Sequence, residues 1–452
     1  MYETLFKSCL NPFFETVVKK RKSLQYRAEL EASQWLSSSE IQAIQWEKLK
    51  KLLAHAYRQV PYWKETFKAA DLRPQDITSY ADFCQLPLVS REIIKTNMPR
   101  MLAEEYKDRL WLKKTGGSTG DPLTFYYDNV SYQHRVAISK RGYGWANCEE
   151  GRRQFHLWGM AEHKKSRLTR IKANLHRAIL RHKYFNCLHF NDTRKLECLR
   201  LMNRFKPRVI IAYPSALYRL ARFIENNNYE LTFTPESIIA AAETIFDTQR
   251  ATIEKVFKTN AYNSYGSREF MLLAMECAAH DGLHVSSENI LLEVIGEDGQ
   301  PVSPGEQGEI VITDLHNYSM PFIRYRIGDQ AIQGAPVHDC PCGRGLPKIG
   351  NVTGRTLDMI RLPDGNEVPG EFFVRFIGRN PGVIQFRVTQ YALDQLVIEL
   401  VVDHQFTKQI LGDIKMNVSK ILGDSVKLDY RLVDKLETTP TGKFRVTISY
   451  VS

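Results

Sequence analysis

The pattern of apolar and polar positions divides the chain into a helical beginning, an alternating middle and a β-rich end. Residues 40–70 have apolar positions at helical spacing, with Leu49 and Leu52 on one side. The segment "LPLVSREIIKTN" (86–97) is typical of a loop that enters a helix, with Ser90 as the N-cap. The first part of the chain is therefore predicted to be mainly helical.

The middle of the chain alternates short apolar runs with amphipathic helices. "RVIIAYPSALYRLARFIE" (208–225) predicts a buried strand, a turn at Pro214 and then a helix. "ESIIAAAETI" (236–245) and "TNAYNSYGS" (259–267) repeat the change from strand to loop. Strands that alternate with helices predict an α/β domain with largely parallel pairing.

The end of the chain has the alternation of β-strands. "ILLEVIGEDGQPVSPGEQGEIVITDL" (290–315) predicts a hairpin around a Gly/Pro/Asp turn. Three later strands and a helix at 405–422 predict a small α+β domain. Since 452 residues exceed one ordinary core, we expect a large N-terminal domain of mixed sheets and helices over residues 1–356 and a small C-terminal domain over 357–452.

Composition places the chain among soluble globular proteins, with 43% hydrophobic and 25% charged residues. The sequence contains no run of 18 or more apolar residues, so we expect no membrane-spanning helix. The N-terminal segment has its apolar part before its basic part, which is the reverse of a secretory signal, so we expect a cytoplasmic protein. Eight cysteines in a chain of this length do not indicate a disulfide scaffold.

Positive charge is concentrated in one stretch. The net charge of +11 favours an acidic partner, and residues 164–183 contain eight Lys or Arg and no Asp or Glu. Leu168, Ile171, Leu175 and Ile179 recur at helical spacing there. This basic amphipathic helix either contacts an anionic membrane from one side or packs on its own domain as a surface helix. Without a zinc-finger or RNP signature, we expect no nucleic-acid partner.

The segment "KKTGGSTGDP" (113–122) has the composition of a phosphate-binding loop. Its glycines allow backbone N–H groups to turn toward an anion, and its hydroxyls add hydrogen-bond donors. It is not a Walker A loop, because GxxxxGK[ST] is absent. The candidate phosphate ligands are Thr115, Gly116, Gly117, Ser118, Thr119 and Gly120.

This loop resembles the [ST]-G-G-[ST]-T-G-x-P loop of adenylate-forming enzymes, and further segments are similar to that class in the same order. They are "AAET" (241–244), "YNSYGSRE" (262–269), "MPFIRYRIGD" (320–329), "VTGRTLDMI" (352–360) and "TTPTGKFR" (438–445). Within the class, the chain resembles the phenylacetate–coenzyme A ligase family. The segment "RLPDGNEVP" (361–369) is more similar to its CapK-like branch, which is often associated with capsular polysaccharide genes.

The resemblance implies an ATP- and Mg²⁺-dependent enzyme that activates a carboxylic acid as an acyl-adenylate, releases pyrophosphate and passes the acyl group to coenzyme A. It makes Tyr265 an aromatic surface for adenine and Asp329 the acceptor for the ribose hydroxyls. Glu269 would hold Mg²⁺, a cation that prefers carboxylate oxygens. The other residues that it places at the nucleotide are Glu243, Gly266, Ser267 and Arg355.

The resemblance also implies a mobile C-terminal domain. Lys443 would enter the site with that domain and meet the negative charge that develops on the reactants, and Asp358 would be its hinge. Two positions depart from the family pattern. Arg268 replaces a threonine that would touch the α-phosphate, so we assign it a catalytic contact, and Asp121 stands where Lys or Glu is common.

Clustered cysteines and histidines suggest a structural zinc site. "HDCPCGRG" (338–345) contains Cys340 and Cys342, and "MECAAHDGLH" (275–284) contains Cys277, His280 and His284. Three thiolates and one imidazole form a closed tetrahedral set for Zn²⁺. The sequence leaves open which histidine completes the set, and a pair of buried thiols is the alternative.

Two other functions remain open at this stage. A CapK-like protein would transfer its acyl or aminoacyl group to a sugar or a lipid-linked saccharide in polysaccharide biosynthesis. A nucleotide-binding regulator without catalysis would explain Arg268 and Asp121, but would not need Lys443, Glu269 or Asp329.

Overall fold

The computed structural model describes residues 2–115, 123–159, 166–187, 190–335, 340–355, 360–365, 367–368, 373–378, 380–423, 425–437 and 445–451. The chain forms two units. Unit 1 consists of Met1–Arg152, Ile179–Arg181 and Tyr262–Val352, and unit 2 consists of Arg153–Ala178, His182–Ala261 and Thr353–Ser452.

Unit 1 begins with helices whose ends follow from local sequence. Ser37 forms a capping box with Glu40 at the start of the helix Ser38–Gln59, and Val60 ends that helix before Pro61 begins the next. The α-helices are α1 (Tyr2–Leu5), α2 (Ser23–Ser33), α3 (Ser38–Gln59), α4 (Pro61–Ala69), α5 (Tyr80–Cys84), α6 (Arg91–Asn97) and α7 (Asn129–Trp145). Shorter turns are π-helical at Phe6–Leu10 and Phe13–Val18, and 3₁₀ at Pro74–Asp76, Met98–Met101 and Glu104–Arg109.

The strands of unit 1 pair antiparallel in the registers that the structure resolves. Strands β1 (Trp111–Lys114) and β2 (Thr124–Tyr127) form a two-stranded sheet. The larger sheet contains β7 (Ala261–Ser267), β8 (Met271–Glu276), β9 (Leu283–Val285), β10 (Ile290–Ile295), β11 (Gln307–Asp314), β12 (Tyr325–Gln333) and β13 (Lys348–Arg355) in the order β10-β11-β12-β13-β9-β8-β7. A core that includes Trp63, Phe125, Phe270 and Phe322 packs this unit.

Unit 2 contains the predicted parallel sheet. Its strands are β3 (Gln154–Trp158), β4 (His182–Asn186), β5 (Val209–Ala212) and β6 (Ser237–Ala241), in the order β6-β5-β3-β4. The printed pairs are all parallel. The helices that accompany them are α8 (Arg167–Leu180), α9 (Asp192–Phe205), α10 (Pro214–Asn226) and α11 (Asp247–Phe257). The carboxyl ends of β3, β5 and β6 therefore lie at one edge of the sheet.

The C-terminal part of unit 2 forms a separate four-stranded sheet. Its strands are β16 (Val383–Ala392), β17 (Gln395–Val402), β18 (Lys427–Leu432) and β19 (Thr447–Ser449), in the order β18-β17-β16-β19. Helix α12 (Lys408–Leu422) packs on it through Ile414 and Val418. A short pair, β14 (Ile360–Arg361) and β15 (Glu367–Val368), and a π-helical turn at Val374–Gly378 precede them.

Most of the predicted elements are present. The helix cap at Ser90, the strand and helix on either side of Tyr213 and the hairpin of β10 and β11 are confirmed. Strand β7 pairs antiparallel with β8. The connection from β7 to β8 is too short for a parallel crossover. Among the described residues, no helix has both the length and the apolar composition that crossing a bilayer requires.

Unit 1 contains two stacked histidines that should make the folded protein less stable in acid. The rings of His134 and His316 lie 3.6 Å apart between centroids. Loss of solvation, together with the nearby charge of Lys48, lowers the pKa of His134 to about 3 and that of His316 well below its ordinary value. Both rings are therefore neutral in the folded protein at pH 7.

We expect the free energy of unfolding to fall as the pH falls from 6.5 toward 3. In this pH range the two histidines take up protons in the unfolded chain but not in the folded protein. This difference lowers the free energy of unfolding by about 1–2 kcal/mol per ring at pH 5. Urea unfolding at pH 7 and pH 5 measures the loss. His134→Gln should reduce it, and His404→Gln, at an exposed position, should not. The same pH dependence in all three proteins would contradict the assignment.

Candidate functional site

Tyr265 and Asp329 meet in the interior of unit 1. Tyr265 lies near the end of β7 and Asp329 lies in β12, and the Tyr265 hydroxyl donates a 2.8 Å hydrogen bond to Asp329 Oδ2. Both side chains are buried. The two motifs that the resemblance assigns to adenine and ribose are thus in contact, although they are 64 residues apart.

The turn after Tyr265 brings the backbone unusually close to its neighbour. The register of β7 and β8 shifts between Tyr265 and Gly266, and a Cβ at Gly266 would collide with the carbonyl oxygen of Met271. Glycine is therefore required at this position for packing alone. Ser267 Oγ accepts a hydrogen bond from the Phe270 N–H, which closes the turn.

The two other predicted residues of this motif differ in exposure. Glu269 is buried, whereas Arg268 is exposed. A buried carboxylate must be compensated by hydrogen bonds or positive charge. The chemistry of Glu269 suits a hard cation such as Mg²⁺, which oxygen ligands hold. The exposed guanidinium of Arg268 keeps its charge accessible to an anion.

The base of the candidate phosphate loop is fixed by a short hairpin. The Thr115 N–H donates to the Leu123 carbonyl and the Leu123 N–H donates to Thr115 Oγ1, each at 2.9 Å. Arg91 also donates to Thr115 Oγ1, at 3.2 Å. The candidate residues Gly116, Gly117, Ser118, Thr119 and Gly120, and Asp121 with them, lie outside the described residues. Strands β1 and β2 therefore hold both ends of the loop.

Unit 2 places further candidate residues at the carboxyl ends of its parallel strands. Glu243 follows β6 and accepts a 3.1 Å hydrogen bond from the Ser215 N–H at the start of α10. Trp158 ends β3, and its ring centroid lies 4.4 Å from that of Tyr213, which follows β5. Ligands of α/β proteins bind at this edge of a parallel sheet. Glu243 is thus tied to a helix N-terminus in the place where such ligands bind.

Three other predicted residues lie wholly or partly outside the described part of the chain. Arg355 ends strand β13, but its side chain lies outside the described part of the chain, as do Asp358 and Lys443.

Unit 2 also contains a pocket that the sequence did not predict. It is an open groove rather than an enclosed cavity. Its lining comes from two distant stretches of the chain, Ser215–Gln249 and Gly378–Val446, and includes Phe246, Gln385 and Phe386. Because no motif marks these residues and they are far apart in sequence, only the folded structure reveals the pocket.

The structure selects one histidine for the cysteine cluster. The ligand atoms of Cys277, His284, Cys340 and Cys342 all lie within 4.8 Å of one another. His280 is not in this set; its Nδ1 lies 3.2 Å from a carboxylate oxygen of Glu276. The sequence could not make this choice, because both histidines follow Cys277 at plausible spacings.

The distances within the cluster suit a tetrahedral metal ion. The Sγ atoms of Cys277 and Cys340 are 3.7 Å apart, those of Cys340 and Cys342 are 3.3 Å apart, and Cys342 Sγ lies 3.2 Å from His284 Nε2. Tetrahedral Zn²⁺ with ordinary Zn–S and Zn–N bonds separates its ligand atoms by about 3.6–3.8 Å. The donor set therefore fits zinc with small adjustments.

The state of the imidazole also fits. His284 Nδ1 lies 2.9 Å from the Leu346 carbonyl oxygen, which can only accept a hydrogen bond. Nδ1 must therefore carry the proton, which leaves the lone pair of Nε2 directed toward Cys342. Burial lowers the pKa of His284 to about 4, so the ring is neutral at pH 7. Burial also raises the pKa of Cys277 to about 12, a cost that a bound cation would offset.

Comparison with known proteins identifies the relatives of this chain. Residues 360–450 match the family model described as the CapK C-terminal domain. Protein CapK from Staphylococcus aureus is 23% identical over 96% of this chain and 94% of its own length. A phenylacetate-coenzyme A ligase from Pseudomonas putida is 26% identical over 76% of this chain and 77% of its own length. The chain is therefore similar in sequence to CapK and to the phenylacetate–coenzyme A ligases.

Solved structures show the fold class. A 2-hydroxyisobutyryl-CoA ligase in the postadenylation state has a TM-score of 0.74 and 18% identity, over 93% of this chain and 91% of that one. An anthranilate CoA ligase has a TM-score of 0.52 and 15% identity, over 74% and 64%. These structures confirm the predicted fold, that of the adenylate-forming ligases, with a large α/β part and a C-terminal domain.

Proposed function

We propose that the protein uses ATP to convert a carboxylic acid into an acyl-adenylate, releases pyrophosphate, and transfers the acyl group to the thiol of coenzyme A. The observation that carries this proposal is the buried contact between Tyr265 and Asp329. It joins the residue expected at adenine to the residue expected at ribose. The relation to coenzyme A ligases supports the same reaction.

The proposed residues supply what adenylation requires. The carboxylate of the acid and the α-phosphate are both anions, so the site has to hold them in line and neutralise their charge. Asp329 would accept from the ribose hydroxyls, and Glu269 would hold Mg²⁺ against the phosphates. Arg268 would contact the α-phosphate with a permanent charge in place of a hydroxyl. Mg²⁺ would supply Lewis-acid stabilisation of phosphate oxygens.

Exchange of radioactive pyrophosphate into ATP, measured across a panel of carboxylic acids, tests the adenylation step. Exchange that depends on one class of acid is expected, because the acyl-adenylate reverts to ATP when pyrophosphate is present. ATP binding without exchange for any acid of a broad panel would contradict the proposal and favour a nucleotide-binding regulator.

The relation to CapK favours a second acceptor. The CapK relative covers almost the whole chain, and the CapK C-terminal model matches residues 360–450. In this alternative, the acyl or aminoacyl group passes to a sugar amine or a lipid-linked saccharide. Adding coenzyme A to an acid that supports exchange separates the two, because thioester and AMP accumulate only if the thiol is the acceptor.

Changes at Asp329 and Tyr265 should weaken ATP binding. Asp329→Asn removes the charge from two expected hydrogen bonds, so we expect the KM for ATP to rise about 100-fold. Tyr265→Phe removes only the hydroxyl and should raise it about tenfold. Steady-state exchange at varied ATP concentration gives both values. Asp298→Asn, in the exposed turn between β10 and β11, is the matched control. An unchanged KM in Asp329→Asn would contradict the ribose assignment.

We also propose that Cys277, His284, Cys340 and Cys342 bind a structural Zn²⁺. The four ligands form a closed set, which leaves no position for a substrate or a catalytic water. The ion would join the segment around β8 and β9 to the loop that contains Cys340 and Cys342. Its role would therefore be to stabilise unit 1 rather than to take part in adenylation.

A further inference from the structure

The first helical segment, residues 2–18, is inverted relative to an ordinary surface helix. Its buried residues are Phe6, Asn11 and Glu15, two of which are polar. Its outer side carries large apolar side chains that are 40–61% exposed, namely Leu5, Leu10, Phe13, Val17 and Val18. A surface helix normally turns its apolar side toward the core. The opposite arrangement indicates that an apolar environment covers the outer side.

Polar contacts fix this orientation. Asn11 Nδ2 donates a 2.9 Å hydrogen bond to Glu150, and the Ser23 hydroxyl donates at 2.8 Å to Glu15. Arg21 lies 3.7 Å from Glu15. Turning the helix over would break these interactions and remove these partners from the polar groups of Asn11 and Glu15. The apolar side chains are therefore held outward.

A second element, helix α8, has the same chemistry. None of the residues in its fully described span, Arg167–Leu180, is buried. Leu168, Ile171, Leu175 and Ile179 are 72%, 53%, 61% and 42% exposed. The apolar side chains of this helix are therefore largely exposed to solvent. Its charges are all basic, at Arg167, Arg170, Lys172 and Arg177.

Both elements combine exposed apolar side chains with positive charge. The segment 2–18 carries Lys7 together with Glu3 and Glu15, which pair with Arg152 and Arg21, and it is followed by Lys19, Lys20 and Lys22. We infer that each of these two elements binds an anionic lipid surface. Apolar side chains enter the boundary between head groups and acyl chains, and each Lys or Arg near an anionic leaflet adds to the attraction.

The charge argues for lipid over a second copy of this chain. A symmetric contact between two copies would bring the same basic residues together, and like charges oppose association. An anionic bilayer can bury the apolar side chains and attract the basic side chains at the same time. This inference does not depend on the proposed ligase activity, so either can fail without the other.

Co-sedimentation of the full chain with vesicles tests the inference. We expect binding to vesicles that contain phosphatidylglycerol, weak binding to pure phosphatidylcholine, and a loss of binding as the salt concentration rises. Phe13→Glu should reduce the partition coefficient at least about tenfold. The double change Arg170→Gln and Lys172→Gln should reduce it about 25-fold, which is about fivefold per charge.

Met416→Glu provides the matched control. Met416 is 63% exposed on α12, so this change adds the same charge to an exposed apolar side chain of a different element and should leave binding intact. Thermal melts of each variant check that it is folded. Equal binding by Phe13→Glu and wild type, or no binding to anionic vesicles, would overturn the inference. A dimer in light scattering that Phe13→Glu dissociates would also overturn it and assign the surface to a second copy.

Discussion

Lys443→Ala is expected to reduce the rate of acid-dependent ATP–pyrophosphate exchange by about 100- to 1000-fold, with little change in the KM for ATP. An ammonium group that approaches only as charge develops stabilises the transition state more than the bound reactants. Its loss therefore appears in kcat, and removal of one such charge-stabilising group costs about 3–4 kcal/mol. Exchange assays at saturating ATP and acid measure the effect directly.

The C-terminal part of the chain offers a matched control. Lys435 is exposed and lies only a few residues before the terminal motif, so Lys435→Ala makes the same chemical change. We expect that variant to keep full exchange activity. Supplying a chemically prepared acyl-adenylate bypasses adenylation, so its hydrolysis or conversion to the thioester measures the acyl-transfer step alone. Lys443→Ala should keep this acyl-transfer activity if the lysine acts only in adenylation.

Two results would contradict the role of Lys443. An equal loss in Lys435→Ala would indicate a general effect of charge in this part of the chain. Full exchange in Lys443→Ala would mean that another cation meets the developing charge. Arg268 would then be the first residue to change, because it is exposed and stands where the family pattern has a hydroxyl.

The sequence predicted local elements well, because their signals are local. The side chain of Ser90 caps α6 as expected, and Pro214 occupies the first turn of α10. Hydrophobic alternation correctly predicted the hairpin of β10 and β11. Each of these features depends on residues that are close in the sequence, so little information from elsewhere in the fold was needed.

Features that depend on distant residues could not be predicted in the same way. The choice of His284 over His280 depends on the pairing of β9 with β13, which brings His284 opposite Lys348 and near the cysteine loop. The outward direction of Phe13 depends on the bonds of Asn11 and Glu15 to residues beyond the helix. In both cases, the spacing of apolar residues within the segment does not indicate which side chain faces the ligand set or the solvent.

The contact between Tyr265 and Asp329 belongs to an intermediate case. The motif order suggested that both residues serve one nucleotide, but neither motif alone indicates that the phenol donates to the carboxylate. The resemblance supplied the pairing, and tertiary structure supplied the geometry. Charge and exposure then distinguish Glu269, which is buried, from the neighbouring Arg268.

The second large effect is expected at the cysteine cluster. Cys277→Ser should reduce bound zinc from one equivalent to almost none and lower the melting temperature by about 10 °C or more. Cys277 is fully buried, so its loss from the ligand set leaves an incomplete site in the interior. The free energy of binding a structural zinc ion adds to the stability of the folded protein. Losing several kcal/mol of it lowers the melting temperature of a unit of this size by about 10 °C.

Metal analysis of protein purified without added zinc, together with thermal melts, measures both quantities. Cys9→Ser is the matched control, because Cys9 is an exposed free cysteine outside the cluster. His280→Ala tests the choice of histidine, since His280 pairs with Glu276 and should not affect the zinc content. Both control variants should keep one equivalent of the metal.

A chelator separates metal loss from a simple packing defect. If zinc holds the cluster, removing it should lower the melting temperature of the wild type toward that of Cys277→Ser and leave the variant unchanged, because the variant has no ion to lose. A wild type without zinc, or a variant that keeps it, would contradict the site. In that case Cys340 and Cys342 would be buried or half-buried thiols, and His284 would be held only by its bond to the Leu346 carbonyl.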